Sequence, residues 1–321
     1  MANLFIGLTD YDWYDFLRTK GYDEVNFWRP GGTAFKALRP GELFLFKLKS
    51  PHYAIVGGGF FVKYSLCPIG MAWEAFEEKN GTRDFREFSD RLRKYREKNR
   101  IETPYPSVGC IILTSPFFFD RKDWIRPPEN WPSSAVVGKG LDAAGAEGRR
   151  LLRDIEDRLA GGAGASLPLT EDRLAGSAEV PIAFSEEKPR YGEGIVKLRL
   201  GQGAFRVSVA DAYERRCAVS GEKTLPVLQT AHIRPYSSDG PHEVPNGILL
   251  RSDIHTLFDD GYITIAPDHH IEVSRRLRED FGNGKIYYLY HGQKLAQLPS
   301  MPADLPSKSY LEWHNERVYL G

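Results

Sequence analysis

The segment CAVSGEKTLPVLQTAHIRPYSSDGPHEVPNGILLRSDIHTLFDDGYITI, residues 217–265, decides the fold of the C-terminal part of the chain. An apolar, β-rich run ends at His232 and is followed by a loop of Pro, Ser, Asp and Gly over residues 235–245. The Asn246-Gly247 pair turns the chain into a second short strand, and an amphipathic helix with His255 comes next. The segment therefore predicts strand, loop, strand and helix in that order.

The distribution of histidines indicates that this segment carries chemistry. Seven of the eight histidines in the chain lie after residue 230. On the predicted helix, His255 and Asp259 are four residues apart and share one face, so an imidazole and a carboxylate can bind one divalent cation. We interpret His242 as a loop or surface residue, and His314 as a residue that docks the C-terminal tail on the core.

The pattern AHI…NG…DIHTLFD resembles the HNH nuclease motif of the ββα-metal fold, over about residues 205–321. The resemblance implies that His232 is the general base that activates water and that Asn246 fixes the two strands and orients this base. It also implies that His255 is a metal ligand on the helix, with Asp259 as a second ligand one turn later. A neutral histidine with an ordinary pKa can accept a proton from water at neutral pH.

Two departures from the family pattern limit what the site can contain. Many HNH proteins have an Asp or His just before the base, whereas this chain has Ala231, so phosphate oxygen and water must complete the metal shell. Many relatives have zinc knuckles of two Cys-x-x-Cys pairs, but here Cys217 stands alone and no structural zinc is expected. The expected cofactor is one divalent ion, Mg²⁺ first, with Mn²⁺ or Ni²⁺ as alternatives.

Arg234 and Arg251 flank the site and are candidates for phosphate binding, with plain surface charge as the alternative.

The first region, residues 1–134, is predicted to be α+β, with GELFLFKLKSPHYAIVGGGFFV at residues 41–62 as its β-rich centre. It resembles the PUA-like superfamily, a mixed β-barrel-like fold that includes EVE and SRA-type readers of modified bases. Its aromatics can either stack on a base or form an ordinary core. The candidate base-recognition residues are Trp13, Tyr14, Phe27 and Trp28.

Composition places the domain boundaries and excludes several classes of protein. Ala and Gly clusters indicate a connector with one short helix at 135–187, between the first region and an HNH endonuclease domain at 188–321. Lys plus Arg and Asp plus Glu are both 43, so bulk positive charge cannot drive nucleic-acid binding. No membrane span or signal peptide is visible, and the three scattered cysteines suit a reducing cytoplasm.

These observations predict an α+β, metal-dependent DNA endonuclease that restricts modified double-stranded DNA. A membrane is not expected to be among its partners. One active site per chain suggests a homodimer when both strands are cut. One alternative is an HNH nuclease that acts on unmodified or structured nucleic acid in repair, as a toxin or in a mobile element. The other is a catalytically weak DNA-binding module, in which Ala231 has replaced a metal ligand.

Overall fold

The computed structural model describes residues 3–101, 106–131, 137–161 and 200–321. The chain divides into two compact units, Met1–Gly201 and Gln202–Gly321. Each unit contains both helices and strands, which confirms the predicted α+β class. Within the described ranges, no helix is both long enough and apolar enough to cross a membrane.

A six-stranded mixed sheet forms the centre of the first unit. Its strands are β1 (Asn3–Thr9), β2 (Glu24–Arg29), β3 (Leu43–Leu48), β4 (Ile55–Pro68), β5 (Ser107–Phe118) and β6 (Gly138–Asp142). The order across the sheet is β2-β5-β4-β3-β1-β6. Strands β1 and β3 are parallel, and the other neighbouring pairs are antiparallel.

Alternating side chains of β3 divide the core between the two faces of this sheet. Phe44 and Phe46 lie in one buried cluster, and Leu43 and Leu45 lie in the other. Helix α1 (Tyr11–Leu17) contributes side chains to the Phe44 cluster, and α4 (Ala146–Gly161) contributes side chains to the Leu43 cluster. Two further helices, α2 (Ile69–Phe76) and α3 (Phe85–Asn99), lie between β4 and β5 in the chain.

The structure corrects the expected connector in its first part. Residues 138–142 form the edge strand β6, which pairs with β1, and the apolar face of α4 is buried on the sheet through Leu151, Ile155 and Leu159. The short helix itself was predicted, but its packing makes residues 138–161 part of the first unit. The rest of the expected connector, residues 162–187, lies outside the described residues.

The second unit follows the order predicted from residues 217–265. Strands β7 (Leu228–His232) and β8 (Gly247–Arg251) form an antiparallel pair, and α6 (Ser252–Asp259) follows directly. Its remaining elements are α5 (Gln202–Ala212), β9 (Ile263–Ile265), β10 (Ile271–Val273), α7 (Arg276–Phe281), α8 (Lys285–Tyr288) and α9 (Lys308–Arg317). His314 on α9 is buried against Phe258, as predicted for the C-terminal tail.

Candidate functional site

The frame of the site is the β7–β8 pair with α5 and α6 packed against it. His232 ends β7 and lies opposite Gly247, the first residue of β8. A Cβ atom at Gly247 would lie 2.3 Å from Cγ2 of Val209 on α5. Only glycine allows this approach of strand to helix, which explains the Gly of the Asn-Gly pair.

Asn246 fixes the loop between the two strands. Its side chain is fully buried, and its Oδ1 accepts a hydrogen bond from the backbone N–H of Arg234 at 2.9 Å. Its Nδ2 donates to the carbonyl oxygens of Arg234 and Pro241, both at 2.9 Å. Its own carbonyl accepts from the backbone N–H of Ile233 at 2.9 Å. Asn246 therefore holds both ends of the loop that begins directly after His232.

The His232 ring is held against the aromatic ring of Phe205 on α5, with centroids 4.2 Å apart and an interplanar angle of 20°. Burial, followed by the neighbouring His242 and then Arg206, lowers the pKa of His232 to about 4. The imidazole is therefore neutral at neutral pH, which is the form that a general base requires.

The structure adds His242 to the site, a residue that the sequence analysis assigned to a loop or the surface. Its Nδ1 lies 2.9 Å from Nε2 of His232, so one ring donates its N–H and the other accepts it. The His242 ring stacks on Tyr236, with centroids 5.0 Å apart and an interplanar angle of 8°. The sequence signal for His242 was its place in the loop, four residues before Asn246.

His255 and Asp259 converge on one face of α6, as their spacing predicted. Nε2 of His255 lies 3.1 Å from Oδ2 of Asp259. Nδ1 of His255 lies 2.9 Å from Oε1 of Gln229 on β7. Both neighbouring oxygens only accept hydrogen bonds, so a neutral ring, which has one N–H, can donate to Gln229 or to Asp259 but not to both. A cation held by Nε2 and Asp259 would leave the ring proton on Nδ1 for Gln229.

This pair is the part of the site that fits a metal ion. Among the residues that the structure describes, no group of three or more His, Cys, Asp or Glu side chains could hold one. Two protein ligands that leave room for water and substrate phosphate are typical of Mg²⁺ sites. The imidazole nitrogen also suits Mn²⁺ or Ni²⁺.

The two arginines proposed as phosphate ligands both have partners within the protein. Arg251 forms a bidentate ion pair with Asp253, with Nε–Oδ1 at 2.6 Å and Nη2–Oδ2 at 2.8 Å, so its planar fork is already used. Arg234 donates from Nε to the carbonyl of Ser238 at 2.6 Å, and its guanidinium lies 5.8 Å from the ring centroid of Trp313. Both arginines therefore have partners within the protein, and their role as phosphate ligands stays a prediction.

The four aromatics proposed for base recognition are core or core-edge residues. Trp13, Tyr14 and Phe27 are at most 7% exposed and belong to the Phe44 cluster, so none of them can stack on a base. Trp28 is partly buried, and its Nε1–H donates to the carbonyl of Asn80 at 2.9 Å. The reason is the sheet itself. Trp13, Tyr14 and Phe27 cover one of its faces, whereas Trp28, the next residue of β2, points to the other face and packs against Phe88 and Tyr95 of α3.

The sequence model of the HNH_2 family, described as HNH endonuclease, matches residues 217–266. No curated protein is similar enough to match this chain. Among solved structures, a mutant of the ASCH protein from Zymomonas mobilis has 10% identity and a TM-score of 0.33, covering 47% of this chain and 97% of that protein. The unmutated ASCH protein of that organism has 7% identity and a TM-score of 0.32, covering 48% and 94%.

A third structural match extends over both units. The modification-dependent restriction endonuclease TagI has 12% identity and a TM-score of 0.26, covering 92% of this chain and 75% of that protein.

The family match contains His232, Asn246 and His255, the three positions on which the predicted resemblance rested. Residues 217–266 therefore match the HNH endonuclease family, as the sequence predicted.

Proposed function

We propose that this protein is a metal-dependent endonuclease that hydrolyses phosphodiester bonds of double-stranded DNA. The observation that carries the proposal is the site itself. A neutral His232 and the His255–Asp259 pair lie on one strand–strand–helix frame, within the residues that match the HNH family.

In this proposal, His232 takes the proton from the attacking water. Its low pKa keeps it unprotonated, and Asn246 holds the adjoining loop through its three side-chain hydrogen bonds. His255 and Asp259 would hold the divalent ion, which supplies charge neutralisation for the phosphate and the leaving oxygen. The hydrogen bond to Gln229 orients the His255 ring so that Nε2 faces the carboxylate.

The experiment that tests this is cleavage of plasmid DNA with Mg²⁺, Mn²⁺ or Ni²⁺. His232→Ala is expected to lose activity by about 100-fold or more, the usual contribution of a general base. His270→Ala is the matched control, since His270 lies outside the site and bonds to Asp268. Full activity of His232→Ala contradicts the proposal, and DNA binding without cleavage in any metal favours the binding-module alternative.

We further propose that the substrate is modified DNA and that the first unit reads the modification. This rests on the resemblance of that unit to PUA-like readers and on its having a core of its own. Because the described residues contain one candidate active site, we propose that two chains act together as a homodimer to cut both strands. The three cysteines are buried and form no disulfide bond, which agrees with the proposed cytoplasmic location.

A further inference from the structure

The proposed base His232 faces a second imidazole through one of its two ring nitrogens. Its Nε2 lies 2.9 Å from Nδ1 of His242, and within the described ranges this is the one hydrogen bond of the ring. One face of the ring lies on Phe205, with centroids 4.2 Å apart. Because His242 occupies Nε2, the nitrogen that can accept a proton from water is Nδ1.

The direction of this hydrogen bond decides whether His232 can react. A neutral imidazole has one N–H donor and one nitrogen lone pair. If His242 donates, Nε2 of His232 accepts and the proton of that ring is on Nδ1, which leaves no lone pair for a water molecule. If His232 donates from Nε2, its Nδ1 keeps the lone pair and Nδ1 of His242 accepts. The second arrangement is the one that gives a general base.

The loop between β7 and β8 holds His242 at this distance through the residues on either side of it. Directly before His242, the carbonyl of Pro241 accepts a hydrogen bond from Nδ2 of Asn246 at 2.9 Å. Directly after it, Oε1 of Glu243 accepts a hydrogen bond from the hydroxyl of Tyr310 on α9 at 2.7 Å. The backbone is therefore anchored on both sides of His242, so its ring is held against that of the proposed base.

We propose that His242 is a positioning residue of the nuclease site, a role that rests on the proposed function. Its Nδ1 accepts the Nε2–H of His232, which keeps the lone pair of His232 on Nδ1. In the hydrolytic step, an O–H bond of water breaks and the proton moves to Nδ1 of His232. The water oxygen forms a bond to phosphorus, and the bond from phosphorus to the leaving oxygen breaks, with its electron pair going to that oxygen. His242 neither gains nor loses a proton in this step.

NMR of the full chain, labelled at the histidine ring nitrogens, tests the hydrogen bond independently of cleavage. At alkaline pH the spectra distinguish a nitrogen that carries a proton from one with a lone pair, and His232→Ala identifies the signals of that ring. His232 is expected to carry its proton on Nε2 in the parent protein. His242→Asp is expected to keep this form, because a carboxylate only accepts hydrogen bonds. His242→Phe removes the acceptor and is expected to populate both neutral forms of His232.

Cleavage kinetics test whether this hydrogen bond matters for the reaction. Plasmid DNA is cut at alkaline pH by the parent, His242→Phe and His242→Asp, with the same two substitutions at His270 as controls outside the site. His242→Phe is expected to lower kcat by on the order of tenfold, the lower end of the cost when a functional histidine loses the partner that orients it. Its KM is expected to be unchanged, because His242 acts on the base and not on the DNA. His242→Asp is expected to recover most of kcat, and both His270 variants are expected to match the parent.

Melting temperatures separate a positioning role from a structural one. Asn246 and Tyr310 anchor the loop without the His242 ring, so both His242 variants are expected to melt close to the parent. A loss of kcat that accompanies a lower melting temperature in both variants shows that His242 is structural and overturns the inference.

The remaining outcomes distinguish this inference from the proposed function. A parent protein with the His232 proton on Nδ1, or an unchanged kcat in His242→Phe, overturns the inference and leaves the nuclease proposal standing. Equal losses of kcat in His242→Phe and His242→Asp, with the proton of His232 on Nε2 in the latter, show that His242 itself takes a proton, which also overturns it. A parent that cuts no DNA with any metal overturns the proposed function and this inference together.

Discussion

Asn246→Ala gives the sharpest test of how the site is assembled. Its fully buried side chain makes three hydrogen bonds to backbone groups of the loop after β7. Each contributes about 1 kcal/mol net, and every buried partner left unsatisfied costs about 1–3 kcal/mol. The substitution is therefore expected to destabilise the second unit locally by about 3–5 kcal/mol, a large fraction of a typical domain stability.

Hydrogen exchange followed by mass spectrometry measures this directly on peptides covering residues 228–250. The amide of Arg234, which donates to Asn246, is expected to lose protection, and DNA cleavage is expected to fall with it. Asn283→Ala, at an exposed position of the same unit, is the matched control. The reasoning would be refuted if the free energy of local opening, obtained from the exchange rates, stayed within about 0.5 kcal/mol of the wild-type value, the range of ordinary surface substitutions.

Three further predictions follow from the same contacts. His242→Phe keeps a ring against Tyr236 but removes a neighbour that lowers the pKa of His232. The pKa of His232 should then rise, and the acidic limb of the cleavage pH profile should move to higher pH. An acidic limb at the wild-type pH contradicts this. Asp259→Asn should raise the metal concentration for half-maximal cleavage by on the order of tenfold, whereas Asp260→Asn should not. Burial lowers the pKa of His314 from 6.5 to about 4. The unfolded chain therefore binds a proton at this residue before the folded protein does, and the free energy of unfolding falls as the pH drops from 6.5 towards 4. At about 1.36 kcal/mol per pKa unit, the loss is about 3 kcal/mol. In urea unfolding, the free energy of unfolding of His314→Gln should depend less on pH between about 4 and 6.5 than that of the wild type. An equal pH dependence of the two proteins contradicts this.

The sequence predicted the site where short-range geometry determines it. The four-residue spacing of His255 and Asp259 places both on one helix face, and the Asn-Gly pair marks the start of β8. His242 could not be found in this way, because its approach to His232 depends on the path of the intervening loop. That path is set by buried hydrogen bonds of Asn246, which no local pattern reveals.

The first unit was harder to predict, since aromatic side chains serve cores and ligand sites equally. Trp13 and Phe27 resemble base-stacking residues in sequence, but the sheet uses them as core. Strand β6, GKGLD, has no apolar alternation because it is an edge strand paired with β1, so it was assigned to a connector.

The central claim is an HNH nuclease site directed at modified DNA, and one measurement tests it most directly. Initial cleavage rates of the wild-type protein are compared on matched duplexes with plain or modified cytosine, with His232→Ala alongside. The account predicts that one modified duplex is cut at least about tenfold faster than the plain one, and that His232→Ala loses about 100-fold or more on it. Equal cutting of all duplexes, or undiminished cutting by His232→Ala, would contradict the account.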